Sequence, residues 1–330
     1  MNNTTKLGDG DLPGIGGWSL YFETSLLAVL CLFGITGNCL VIKTSVTVET
    51  KFARQIMTVF CGLAVADILL CNIRIPIFIY SLFRADSDNG HVVCFVWQLS
   101  SALVGIIICK NLVVGLQRLM IIQNFPRYKK YFTRKCTIKI LIGVWLINWT
   151  LTVALSQGLG WHMVYKGHAL CKFDSFEAND LYVYRAVVLG LQNGAPLILT
   201  GCCHIWIVTC ILRTGLTRSQ NNDDNSAYVR VNFTAILRTI MLLLCFSPFL
   251  VGGMIHPDYN VHDSPYQRYY EYLICLQSVL SPYITLGDSD FKETNKRRSD
   301  GNRPGNENGR VGRRPSYITS CDLKTERPTE

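Results

Sequence analysis

The sequence predicts an all-α membrane protein, a bundle of seven transmembrane helices. Three observations predict it. The chain of 330 residues is 49% hydrophobic and only 17% charged, whereas a soluble domain carries about 25% charged residues. Apolar runs long enough to cross a hydrocarbon core of about 30 Å, which takes roughly 20 helical residues, recur along the chain. Lysine and arginine also concentrate in alternate loops, as they do on the cytoplasmic side of membrane proteins. That topology accounts for the net charge of +9 better than nucleic-acid binding does, because the basic residues are not gathered on a soluble module.

Residues 1–18 form a polar, Gly-rich tail without the basic start and apolar centre of a signal peptide, so the first span is expected to act as its own insertion signal. Asn2 and Asn3 each head an Asn-x-Thr sequon, and the tail accepts glycan if it lies outside. Asn148 heads another sequon inside a predicted span. The bundle occupies 19–287, with spans at roughly 19–45, 56–82, 92–122, 138–160, 181–212, 231–256 and 268–287. Arg127, Lys129, Lys130, Arg134, Lys135 and Lys139 crowd the loop after span three, and Lys292, Lys296, Arg297 and Arg298 follow span seven. The alternate loops mix signs, as with Arg84, Asp86 and Asp88, so the N-terminus is expected outside and the C-terminus inside. Residues 299–330 are rich in Gly, Asn, Arg and Pro and read as a disordered cytoplasmic tail.

Of 14 cysteines, most lie in apolar runs and read as small hydrophobes; Cys94 and Cys171 sit in or beside polar loops. No Cys or His pattern has zinc spacing, and no nucleophile–base pair or phosphate loop supports an enzyme.

One mark per span then accumulates in order: Gly37-Asn38, "LAVAD" ending at Asp67, Arg118 at the foot of span three, Trp145, Pro196, "CFSP" ending at Pro248, and "SPYIT" (Ser281, Pro282, Thr285) followed by Phe291. As a set, over about residues 19–298, these resemble the rhodopsin-like G-protein-coupled receptors. Departures accompany the likeness. The acidic-Arg-Tyr triplet is Gln117-Arg118-Leu119, Phe246 replaces the tryptophan before Pro248, and Ser281 and Thr285 replace the Asn and Tyr around Pro282. His204 stands where a tyrosine of span five is expected.

The resemblance implies the mechanism. A ligand outside moves span six outward, and Arg118 then meets a heterotrimeric G protein; Pro196, Pro248 and Pro282 act as lever points. With Gln117 neutral and Tyr228 near the usual acid at the foot of span six, the resting lock is expected to be weakened. The likeness also implies a Cys94–Cys171 disulfide, a membrane-surface helix at 288–298, and phosphorylation of the tail at Ser299, Ser316, Thr319 and Ser320 by receptor kinases to recruit arrestin. A sodium site at Asp67 is implied too, with Asn38, Gln277 and Ser278 nearby, but Ile107 replaces the usual serine. Lys110 either snorkels to lipid headgroups or replaces the cation at Asp67.

By position, Arg74, Ser100, Ser101, Arg185, Gln192, Phe246 and Glu271 are expected to line an outer ligand site. An amine anchored in span three is not expected, because serines occupy that region. Arg74 and Arg185 suit an anionic small molecule or short peptide; alternatively an arginine and Glu271 form an internal bridge. A short N-terminal tail argues against a large hormone-binding domain. Span seven contains no lysine for a retinal Schiff base. The rivals are a non-signalling decoy or arrestin-biased receptor and, from intramembrane Asp67 and Lys110, an ion transporter or channel; neither a cofactor nor nucleic acid is expected.

Overall fold

The computed structural model describes residues 17–47, 51–83, 90–158, 163–166, 169–173, 182–183, 185–217, 222–255 and 265–287. Four of the spans are α1 (Gly17–Val46), α2 (Lys51–Phe83), α3 (Gly90–Gln123) and α5 (Arg134–Gly158). The fifth begins as a π-helix, Arg185–Gly194, and continues as α6 (Ala195–Thr217). Spans six and seven are α7 (Asn222–Ile255) and α8 (Pro265–Leu286).

Among the described residues, six spans are long and apolar enough to cross a membrane by length and composition. α8 falls below that mark because Glu271, Gln277 and several tyrosines dilute its apolar residues. It is nevertheless inside the bundle, packed on α1, α2 and α7. The ring closes through α7 on α6, α6 on α3, and α3 on α2 and α5. The bundle's outside is greasy: Leu32, Leu146, Ile205 and Leu244 are each more than 60% exposed. Such a surface is stable only against lipid, so the chain is a multi-pass membrane protein.

Two elements were not anticipated. β1 (Met163–Lys166) and β2 (Ala169–Phe173) form an antiparallel hairpin, Met163 opposite Phe173, which lies against α3 between spans four and five. After α3 comes the short helix α4, Phe125–Tyr131. Its start is written in the sequence: the Asn124 side chain accepts the Arg127 N–H at 3.0 Å, and Pro126 supplies a preset φ in the first turn. Its buried Tyr128 stacks on Phe132, with ring centroids 5.6 Å apart, and both pack with Met57, Val113 and Leu141.

Close approach between helices depends on small residues. A Cβ on Gly37 of α1 would sit 2.8 Å from the Pro282 ring of α8. A proline ring cannot turn aside, so Gly37→Val is expected to cost about 1–3 kcal/mol by overpacking, read as a lower melting temperature in detergent.

Pro282 has a second effect. It has no N–H to give the Ser278 carbonyl one turn back. Asn38 supplies the missing donor: its Nδ2 reaches that carbonyl at 3.2 Å, and its own helix at Gly34 O at 2.9 Å.

Candidate functional site: a column of buried polar side chains

The chain enters the bundle at the start of α1 and leaves it at the end of α8; the two faces are called here the entry and exit ends. Polar side chains that lipid would reject are stacked between them.

Near the entry end, Arg74 of α2 meets Glu271 of α8 in a two-pronged ion pair, Nε to Oε2 at 2.6 Å and Nη2 to Oε1 at 2.7 Å. Both side chains are 4% exposed. The third nitrogen, Nη1, donates to Ser100 Oγ of α3 at 3.0 Å, and that hydroxyl donates to the Trp97 carbonyl at 2.6 Å. The guanidinium also lies 4.4 Å from the centre of the Trp97 ring. Of the two sequence alternatives for this arginine, the internal bridge is the one formed. Ser101 bonds back to its own helix at Trp97 O, 3.4 Å away. Phe246 is fully buried in the central apolar core with Ile106, Leu242 and Ile274.

Gln192 does not join this cluster. The π-helical turn places it against α5, where its Nε2 donates to Asn148 Oδ1 at 3.0 Å and approaches Thr152 Oγ1 at 3.5 Å. Asn148 is buried there, so its sequon is no glycan acceptor in this fold.

In the middle, Asp67 is fully buried and neither carboxylate oxygen has a hydrogen-bond partner. Ser278, Ser281, Arg238 and Lys110 face it. Ser278 Oγ donates to Gln277 Oε1 at 3.4 Å. Lys110 neither snorkels nor closes a salt bridge to Asp67. Its ammonium donates to the Gly62 carbonyl of α2 and lies 4.5 Å from the Trp145 ring centre of α5. A helix carbonyl and an indole face offered this cation a closer seat than the carboxylate. The residues do not fit a sodium ion: two cations already face one carboxylate, and the serine position is the apolar Ile107.

Toward the exit end stands a residue that the sequence reading passed over. Arg238 of α7 is buried, donates to Thr285 Oγ1 and, at 3.4 Å, to the Ser281 carbonyl of α8, and lies 4.8 Å from the Phe60 ring centre of α2. An arginine inside the apolar stretch "TAILRTIMLLLC" was signal enough to find it. Gln117 is buried and donates to Tyr128 OH at 3.1 Å, joining α3 to α4. Arg118 beside it is buried as well. His204 of α6 shares its Nδ1 with the Thr200 carbonyl at 2.8 Å and faces both Arg118 and Arg238. Its Nε2 is buried without a partner. Pro248 and Pro282 lie inside α7 and α8, and Pro196 opens α6.

Arg185, Tyr228, Cys94 and Cys171 lie on described backbone, but their side chains fall outside the described set; Asn2, Asn3, the 288–298 helix and the tail fall outside it altogether.

The family described as 7 transmembrane receptor (rhodopsin family) matches residues 37–284. The chain is 22% identical to a "Rhodopsin, GQ-coupled" of Mizuhopecten yessoensis, over 69% of this chain and 49% of that protein. It is 29% identical to a "Melanopsin-B" of Gadus morhua, over 86% of this chain and 48% of that protein. An "Alpha-1A adrenergic receptor" of Cavia porcellus is 24% identical over 61% and 42%. The chain thus spans about half the length of these relatives. With seven packed helices, Arg118 at the exit end of α3, and a family match over most of its length, this chain belongs to the rhodopsin family of seven-transmembrane receptors.

Proposed function

We propose that the chain is a plasma-membrane receptor whose entry end faces outside and whose exit end passes the signal to a heterotrimeric G protein when α7 swings outward. The observation that carries this reading is the Arg238 link from α7 to Ser281 and Thr285 of α8, close to His204 and buried Arg118. A cross-helix bond at that level is a restraint that activation has to break. It stands in for the acidic neighbour that Gln117 lacks, so the resting lock is relocated between α7 and α8.

The relative named GQ-coupled makes that class the first to test. Opsins among the relatives raise light sensing, but α8 carries no lysine to hold a retinal Schiff base. The remaining parts complete the reading: a Cys94–Cys171 bridge between α3 and β2, glycans on Asn2 and Asn3, and tail phosphorylation leading to arrestin. Basic residues of the exit-end loops would meet anionic lipid.

The test is G-protein activation in cells across the coupling classes, with wild type and Arg118→Ala. Nucleotide exchange above mock-transfected cells that falls at least about tenfold in Arg118→Ala is expected, because the arginine makes charged contacts to the G protein. Wild-type signal at the mock level in every class, with the receptor at the surface, would instead leave the decoy reading.

A further inference from the structure

We infer that the exit-end surface made by α4 and the first turns of α5 seats a phosphorylated inositol phospholipid. Its headgroup lies on Lys130, Arg134, Lys135 and Lys139, and its acyl chains run along α5. This deepens the receptor reading above, which sets only the leaflet that supplies the lipid.

The charge there is of one sign. Residues 127–139 carry Arg127, Lys129, Lys130, Arg134, Lys135 and Lys139, and no Asp or Glu occurs between Asp88 and Asp174. Arg127, Lys130, Arg134, Lys135 and Lys139 are exposed. They stand on a built corner. Asn124 caps α4, buried Tyr128 and Phe132 root it in the core, and Thr133 Oγ1 accepts the Cys136 N–H at 3.4 Å in the first turn of α5. Cations held close together repel, and a partner with several negative charges on one small frame relieves that.

The same surface runs directly into lipid. Lys135, Ile138, Lys139, Ile142 and Leu146 are all exposed and, at about 3.6 residues per turn, share one stripe of α5. The membrane-crossing part of α5 begins at Arg134, so Lys139 sits more than a turn inside it and its stem has to run back to headgroup level. Tyr131 is exposed, with Lys130 Nζ 5.7 Å from its ring centre, and aromatics of this kind mark the membrane interface. From the bilayer outward the order is apolar stripe, one deep cation, then several cations. A phospholipid has the matching order of acyl chain, glycerol phosphate and headgroup. A lipid with one net charge fills only the Lys139 level, whereas phosphates on an inositol ring also reach Lys135, Arg134 and α4 through charge-assisted hydrogen bonds. The seat also has an output. Tyr128 of α4 accepts from Gln117, the neighbour of Arg118, so a lipid that steadies α4 bears on the G-protein end.

The experiment is thermal melting of the full chain in phosphatidylcholine nanodiscs. One set is doped with phosphatidylinositol bisphosphate and another with phosphatidylserine at equal total charge. The inositol lipid is expected to raise the melting temperature by about 2 °C or more above the serine lipid. Lys135→Gln/Lys139→Gln changes only exposed side chains; it is expected to melt with wild type in pure phosphatidylcholine and to lose the shift. Lys43→Gln, at the exit end of α1, is expected to keep it. The proposal is overturned if the two anionic lipids act alike, if the double variant keeps the shift, or if Lys43→Gln loses it equally. It is overturned too if soluble inositol trisphosphate or a Glu-rich peptide gives as large a shift, since neither uses the apolar stripe. None of these results touches Arg118-dependent nucleotide exchange, so the receptor reading fails or stands separately.

Discussion

Glu271→Leu is expected to destabilise the folded receptor by about 3–5 kcal/mol, and adding Arg74→Leu is expected to restore most of that loss. The single change removes the carboxylate that accepts from two of the guanidinium's nitrogens, at a site only 4% exposed. Removing both charges takes away the attraction and the dehydration penalty together, and two leucines refill much of the volume. The order of melting temperatures in detergent checks it: Glu271→Leu lowest, the double variant near wild type. A single variant that melts with wild type would mean that water reaches Arg74 and that the cluster is not sealed.

Arg238→Met is expected to raise ligand-independent signalling. The methionine keeps most of the stem against Phe60 and removes the donors to Thr285 Oγ1 and the Ser281 carbonyl. Hydrogen bonds from a charged donor are worth about 1.5–3 kcal/mol, which is roughly a ten- to hundredfold change in the balance between resting and active forms. Nucleotide exchange by a co-expressed G protein, measured without added ligand, reads the change. Thr285→Val removes one acceptor and is expected to shift the baseline in the same direction by less. A baseline unmoved by Arg238→Met would show that α7 is restrained elsewhere.

The spans were legible because a bilayer demands long apolar runs, and their ends were not because polar helix turns leave the membrane unmarked. α7 begins at Asn222, about two and a half turns before the predicted 231, since "NDDNSAYVR" has no apolar period to betray it. α4 was signalled by Asn124 and Pro126 but hidden among basic loop residues. For the site, the sequence located the buried charges yet could not choose their partners. Arg74 and Glu271 are 197 residues apart, and nothing local decides whether they pair or await a ligand. Lys110 and Gln192 were placed by helix position alone, which says how deep a side chain lies but not which neighbour it faces. Lys110 turned to Gly62 and Trp145, and Gln192 to Asn148, through the π-helical turn that no residue pattern announced.

The amide of Asn38, reaching the carbonyl that Pro282 leaves bare, makes α1 and α8 a fixed post. In the proposed mechanism that post stays in place, and displacement at the exit end is taken up across the neighbouring seam, by α7. Cutting that stitch would let both sides of the seam drift together, and the receptor would lose the stationary surface against which a swing is measured.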